Sequence, residues 1–267
     1  MKKALYQAVF LSVSTLAISQ LAHSDVTVVY EQSNGMQKIS TTMQVKDGKI
    51  RFTPANQNNN YSIYDTKTNQ LTNIDNSKKQ YMIMDEKIIE QQMNQAKQKM
   101  DAMRQAMQEK MKDMPPEKKK QVEKMINNHL SQVDTTQAPK KLEQKKTTRT
   151  ETISGIQCTL YEASIEGRKH SDLCMTQADK MGIDSSDADA LMEMQKFMKR
   201  IQKVAQTTMG NNATTADIQG IPLHTTLYKE DGSVSLETRL VNISSDKLSN
   251  EIIAIPDDFS IQAIPKN

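Results

Sequence analysis

The hydrophobic pattern of this chain changes period after Met84, and that change decides the fold class. From Val26 to Met84, apolar and polar residues alternate in short runs separated by turn-forming residues. From Glu86 onward the apolar residues return at helical spacing. Ile89, Met93, Ala96, Met100, Met103, Met107, Met111 and Met114 recur three, four and seven residues apart. At about 100° per residue they fall within an arc of roughly 80°. The rest of the segment is Gln, Lys, Asp, Glu and Arg. A thioether side chain is unbranched and polarizable. A stripe of them serves as packing, as a deformable apolar surface or as a set of soft metal ligands.

The organisation follows from the two periods. Val26–Tyr30 is a β-branched run, and Asn34-Gly35 and Asp47-Gly48 are hairpin turns. Strands are expected at 49–52, 62–64, 71–74 and 80–84, with a polar loop at 56–60. A first helix is expected from Glu86 to Met114, stopped by Pro115-Pro116. Proline is tolerated in a first helical turn, so a second helix can begin at once and run from Glu117 to about Leu130. Its Val122, Met125, Ile126, His129 and Val133 form the matching apolar side, and 134–146 reads as a polar linker. The second half repeats the order of elements but not the sequence. Segments 147–153, 157–165 and 169–175 are extended. Residues 185–209 are helical, with Ser185 or Ser186 as cap and Leu191, Met194, Met198, Ile201 and Val204 on the apolar side. After a loop at 211–215 come a hairpin, 221–228 and 233–243, and short extended pieces at 252–255 and 259–263. Tryptophan is absent and aromatics make up 4% of the chain, so the core must come from Ile, Leu, Val, Met and a few Tyr. Such a supply suits an α+β chain with one curved antiparallel sheet covered by helices better than a large α/β enzyme.

The N-terminus reads as a signal peptide over residues 1–24. Lys2 and Lys3 precede an apolar run from Ala4 to Ile18, and Ala22-His23-Ser24 supplies small residues for cleavage near Ser24-Asp25. The run is too short and too rich in Ser and Thr for a membrane span. The mature product is expected to be exported, and periplasmic in a Gram-negative host. Without Lys2 and Lys3 the 35 basic residues fall to 33, against 32 acidic. A near-neutral chain has no electrostatic reason to seek nucleic acid. The local runs Lys118–Lys120, Lys140-Lys141 and Lys145-Lys146 read as solvated surface and linker, with anionic lipid headgroups as the sharper alternative.

Cys158 and Cys174 are the only cysteines. Glu166-Gly167 is a turn signal midway between them. A hairpin closed there sets the two directly opposite on neighbouring strands, within reach of a disulfide in an oxidising compartment. A redox pair or metal thiolates are the alternatives. The spacing is not CxxC, and only His129, His170 and His224 remain after processing.

No GxSxG, HExxH, P-loop or dinucleotide fingerprint is present. Asp257-Asp258 and the Asp184, Asp187 and Asp189 group read as turn and helix-start residues. No catalytic residue, cofactor or metal site is therefore assigned, and no enzyme activity is expected. Three functions stand beside one another. The first is a non-enzymatic carrier for a lipid, a lipoprotein or another apolar ligand. Its ligand-facing candidates are Met93, Met100, Met103, Met107 and Met111 on the first helix, with Met194 and Met198 on the last. The second is a Met-rich copper-binding protein, suggested by Met82-x-Met84, Met192-x-Met194 and Met100-xx-Met103-xxx-Met107. The third is a protein-interaction module that uses the same stripe as a helical seam. For each, plain core packing of the methionines is the competing account.

Several segments carry a resemblance. They are Ile63–Asp85, Met114-Pro-Pro-Glu117 after the Met-rich helix, Glu151–Ala163, Gly220–Tyr228 and Ile255–Phe259. In this order they resemble a family of exported bacterial proteins known only as a domain of unknown function. That family is similar in turn to the outer-membrane lipoprotein carriers of the LolA/LolB type. The resemblance implies one half-barrel domain over 25–267, with a helical insertion at about 86–132, a second helix at about 185–209, and a concave apolar face that holds acyl chains. The partners it implies are a lipid or lipoprotein and an outer-membrane or periplasmic protein.

Overall fold

The computed structural model describes residues 25–56, 60–112, 115, 142–209 and 219–262. The expected leader at 1–24, Met114, the helix at 117–130, His129, the stretch 134–141 and the loop at 211–215 lie outside the described residues.

Among the described residues twelve strands form one sheet. In the first half β1 (Val26–Ser33), β2 (Lys38–Lys46), β3 (Lys49–Pro54), β4 (Asn60–Asp65), β5 (Gln70–Asp75) and β6 (Gln80–Met84) make a continuous meander. Helix α1 (Glu86–Lys112) follows. The second half contains β7 (Leu142–Ile153), β8 (Ile156–Ile165), β9 (Arg168–Thr176), α2 (Ser185–Met209), β10 (Ile221–Tyr228) and β11 (Val234–Ser244). β1 lies between β2 and β11, so the first described strand joins the two halves. Two-residue turns close three hairpins: Asp47-Gly48, Ser154-Gly155 and Glu166-Gly167. All six residues have positive φ, which matches the right-handed twist of the flanking strands.

The last strand departs from the expected all-antiparallel sheet. β12 (Ser260–Ile261) runs parallel to β6, with Ser260 opposite Gln80. The C-terminal chain has crossed the sheet before it pairs, so it arrives in the same direction as β6. On its way Asn250–Ile253 form a 3-10 turn capped by Ser249, where an extended piece at 252–255 was expected. The hydroxyl of Ser249 accepts the Glu251 N–H, and such local bonding competes with strand pairing. This crossing covers one face of β3–β6. Tyr61, Ile63 and Ile74 are buried there with Tyr81 and Phe259. Arg51 lies 3.7 Å over the Tyr61 ring and donates to the Ile252 carbonyl.

The opposite face carries the main core. Val26, Val28, Val45, Ile50, Tyr64, Leu160, Leu223 and Leu240 are buried there against Leu191 and Phe197 of α2 and Ile89 of α1. The sheet curls toward this side. Ser154, in the β7–β8 turn, donates to the Leu240 carbonyl of β11 at 3.1 Å. In a flat sheet those groups would lie three to four strand spacings apart, ~15–19 Å.

Two further readings are corrected. The expected linker at 134–146 ends earlier, because Leu142–Lys146 already belong to β7. Apart from Leu142 both faces of that segment are polar and exposed, so no alternation marks it. The cysteines are bonded, with Cα atoms 5.3 Å apart. They are diagonal rather than opposite, since Cys174 faces Leu160. The Glu166-Gly167 turn sets Ile165 opposite Arg168, and a bulge between Ala163 and Ser164 shifts the register one step further. The bond is buried in the main core and fits an oxidising compartment.

Candidate functional site

Helix α1 begins where Asp85 caps it. Its carboxylate accepts the Ile88 N–H at 2.8 Å, and its carbonyl accepts the Ile89 N–H. Asp184 plays the same part for α2, with its carbonyl accepting the Ala188 N–H at 2.9 Å. Ser185, a cap candidate in the sequence, is instead the first helical residue. Helix α1 packs on the end of β6, α2 packs on β2 and β3, and the two helices meet with a groove between them. Its volume is ≈ 450 Å³, and its lining is apolar apart from Gln92. Leu71 and Met84 come from the sheet, Ile89, Met93 and Ala96 from α1, and Phe197, Met198 and Ile201 from α2.

The methionine candidates divide. Met93 and Met198 line this groove. Met194 packs on the main core, and Met111 is buried. Met103 and Met107 stand exposed on the outer half of α1, at 55% and 38% of full exposure. Met100 is half-buried and outside the groove lining. Of the sulfur pairs raised for copper, Met192 and Met194 pack on the core, as does Met84. Among the described residues no cluster of His, Cys, Asp and Glu could hold a metal ion.

Arg200 fastens one end of the groove. It donates to Glu86 of α1 at 3.2 Å and to the Asn69 side chain of the β4–β5 turn at 2.9 Å. The Tyr64 hydroxyl donates to the same Asn69 oxygen at 2.7 Å. The Tyr64 and Phe197 rings meet at 4.9 Å, and burial raises the Tyr64 phenol above its ordinary pKa.

The groove continues along the sheet. Side chains on one face of a strand alternate, so Leu71, Asn73 and Asp75 of β5 share a face with their partners Met84, Met82 and Gln80 of β6. Ser62 of β4 sits opposite Asn73, and Phe52 of β3 sits opposite Ser62. A second cavity of ≈ 390 Å³ lies on this stretch. Its polar lining includes Asn60, Ser62, Asn73, Asp75, Gln80 and Gln262. Sequence reasoning missed this polar row and the parts of Leu71, Met84, Phe197 and Ile201. The period-two pattern of β5 and β6 was the available signal, but it does not say which strands the helices cover.

Among the described residues no helix is long and apolar enough to cross a membrane. A family model described as "Domain of unknown function (DUF4412)" matches residues 77–259. Among curated proteins none matches the chain. One similar solved structure is an uncharacterized conserved protein from Thermus thermophilus. It has 7% identity and a TM-score of 0.43, with 90% of this chain and 91% of that chain covered. Another is the MucA/MucB complex of Pseudomonas aeruginosa, with 6% identity and a TM-score of 0.37 over 90% of this chain and 58% of that one. Likeness at this level carries no function across to this chain.

Proposed function

The chain belongs to the DUF4412 family, and we propose that it is a non-enzymatic periplasmic carrier for a lipid, lipoprotein or other apolar ligand. In this reading the curled sheet is a half-barrel of the LolA type. The Met-bearing helices α1 and α2 are its cover, and the leader at 1–24 directs export. A partner protein in the periplasm or outer membrane delivers or receives the ligand.

The observation that supports the reading is the groove between α1 and α2. Eight of its nine lining residues are apolar. Two of them, Met93 and Met198, are unbranched thioethers that can repack around chains of different shape. Small-molecule sites span ~300–1,000 Å³, and this one lies within that range. Native mass spectrometry of protein isolated from periplasm, followed by lipid extraction, tests the reading. Co-purified lipid or acylated protein is the expected result. A mass equal to the bare chain, together with no uptake of a fluorescent fatty acid, would remove it.

A further inference from the structure

We propose that the ligand of the groove is a single-chain amphiphile with an uncharged, hydroxyl-rich head, and that this head lies on the polar row formed by Ser62, Asn73, Asp75 and Gln80. The inference rests on the apolar-ligand reading and adds the chemistry of the head group to it.

The two cavities share one sheet face and follow each other along it. The Leu71–Met84 pair belongs to the groove, and the next two pairs, Asn73–Met82 and Asp75–Gln80, belong to the second cavity. At ~3.3 Å rise per residue, Leu71 and Asp75 stand ~13 Å apart, so within the length of a short amphiphile the lining turns from almost wholly apolar to mixed, with the polar row set among Phe52, Pro54 and Met82. Asn73 marks the change. Its side-chain oxygen accepts from the Ser62 hydroxyl at 2.7 Å. Among the described residues its amide nitrogen donates to the Met84 sulfur alone, at 3.9 Å. A thioether is a weak acceptor, so a hydroxyl or carbonyl oxygen of a ligand is a better partner for that N–H.

Charge selects the kind of head. Among the described residues neither lining contains a lysine, arginine or histidine. The one ionisable carboxyl on the row is Asp75. Bonds from the Ser77 hydroxyl, and then from the Lys78 side chain and backbone, hold its pKa below the ordinary carboxylate value. Lys78 pairs with that carboxylate at 3.2 Å from outside the lining. A phosphate or carboxylate head would lose water here without gaining a cation from the described lining, since the nearby Lys78 is already paired with Asp75. A glycerol-type head instead offers both donors and acceptors to Asn60, Ser62, Asn73 and Gln80, and its hydroxyl groups suit the Asp75 carboxylate.

Calorimetric titration of the mature protein with monolauroylglycerol, laurate and lauroyl-lysophosphatidylglycerol, each kept below its micelle concentration, tests this. The monoacylglycerol is expected to bind about five- to tenfold tighter than either anion, the factor a single unmatched polar contact is worth. Asn73→Leu is expected to weaken the monoacylglycerol by a similar factor and so to close its lead over laurate. Gln80→Lys, at a half-buried strand end, is expected to bring laurate level with the monoacylglycerol. Equal binding of all three, or tighter binding of the anions, overturns the head-group inference while the apolar-ligand reading stands. Failure of all three to bind sinks both.

Discussion

At the scale of single residues, Gly220 has the tightest constraint. Its φ is +120°, and a Cβ there would sit 2.5 Å from the Thr176 carbonyl oxygen, across the β9–β10 pair. Strained backbone of this kind costs of order 1–3 kcal/mol, and the clash with backbone adds to it. Gly220→Ala is expected to lower stability by at least about 3 kcal/mol, read as a fall in the urea midpoint at unchanged slope. An unaltered midpoint would mean that the strand ends separate freely. Asp25 and Lys46 make a second case. Their charged groups are almost wholly buried and meet at 3.0 Å, and the Leu248 N–H also donates to Asp25 at 2.6 Å. Breaking such a pair costs about 3–5 kcal/mol, because the survivor keeps its desolvation penalty. Lys46→Met is expected to fall in that range, and the double change Lys46→Met with Asp25→Asn to recover much of the loss. A double-mutant cycle in urea measures the difference, and a zero coupling energy would contradict it.

At the scale of elements, legibility followed the strength of the local pattern. The hairpin turns at Asp47-Gly48 and Glu166-Gly167 and the long helix at 185–209 were readable. Positive-φ pairs and 3.6-residue periods are set within a few neighbours. β7 was readable only in its second part. Lys145 and Lys146 looked like linker, and only pairing with Glu162 and Tyr161 of β8 makes them strand. The methionine stripe was readable as a helix face but not as a site. Its N-terminal part meets the sheet and α2, while Met103 and Met107 remain exposed. That division depends on where α2 lies, which no spacing within α1 encodes. Among the described residues α1 is held along α2, with Met111 buried near its far end. Its first turns hold on through Ile89, Met93 and the Arg200–Glu86 pair. The pair is partly exposed, and exposed pairs contribute about 0–1 kcal/mol. Arg200→Ala is therefore expected to change global stability by less than about 1 kcal/mol. It also frees the Asn69 contact, so local opening of α1 becomes easier. Hydrogen exchange of peptides covering 86–96 should speed up while those from β8 and β9 do not change. Equal protection of α1 in both proteins would show that apolar contacts alone hold the cover.

For the molecule as a whole, the decisive contact is one that local sequence cannot show. β1 is the first described strand, yet it pairs on one side with β2 and on the other with β11, more than 200 residues away at Thr27–Ser244. The two meanders could each have closed on themselves as separate small sheets. They do not, because Val26 and Val28 of β1 are buried in a core that also takes Ile50 and Tyr64 from one half and Leu160, Cys174 and Leu223 from the other. Phe197 of α2 belongs to that same core, and its ring meets Tyr64 of the first half. Removing either half would strip one side of β1 and one wall of the groove together. The halves should therefore unfold together rather than in sequence. In urea, far-UV circular dichroism and tyrosine fluorescence should trace one coincident transition, and the calorimetric and van't Hoff enthalpies should agree. The tyrosine signal is weighted to the first half, with Tyr30, Tyr61, Tyr64 and Tyr81 in β1, β4 and β6 against Tyr161 in β8 and Tyr228 in β10. Two transitions, with the tyrosine signal lost before the bulk of the strand signal, would show that β1 is a hinge between independent sheets. The groove would then open as the first half melts, and ligand binding would track that transition instead of the global one.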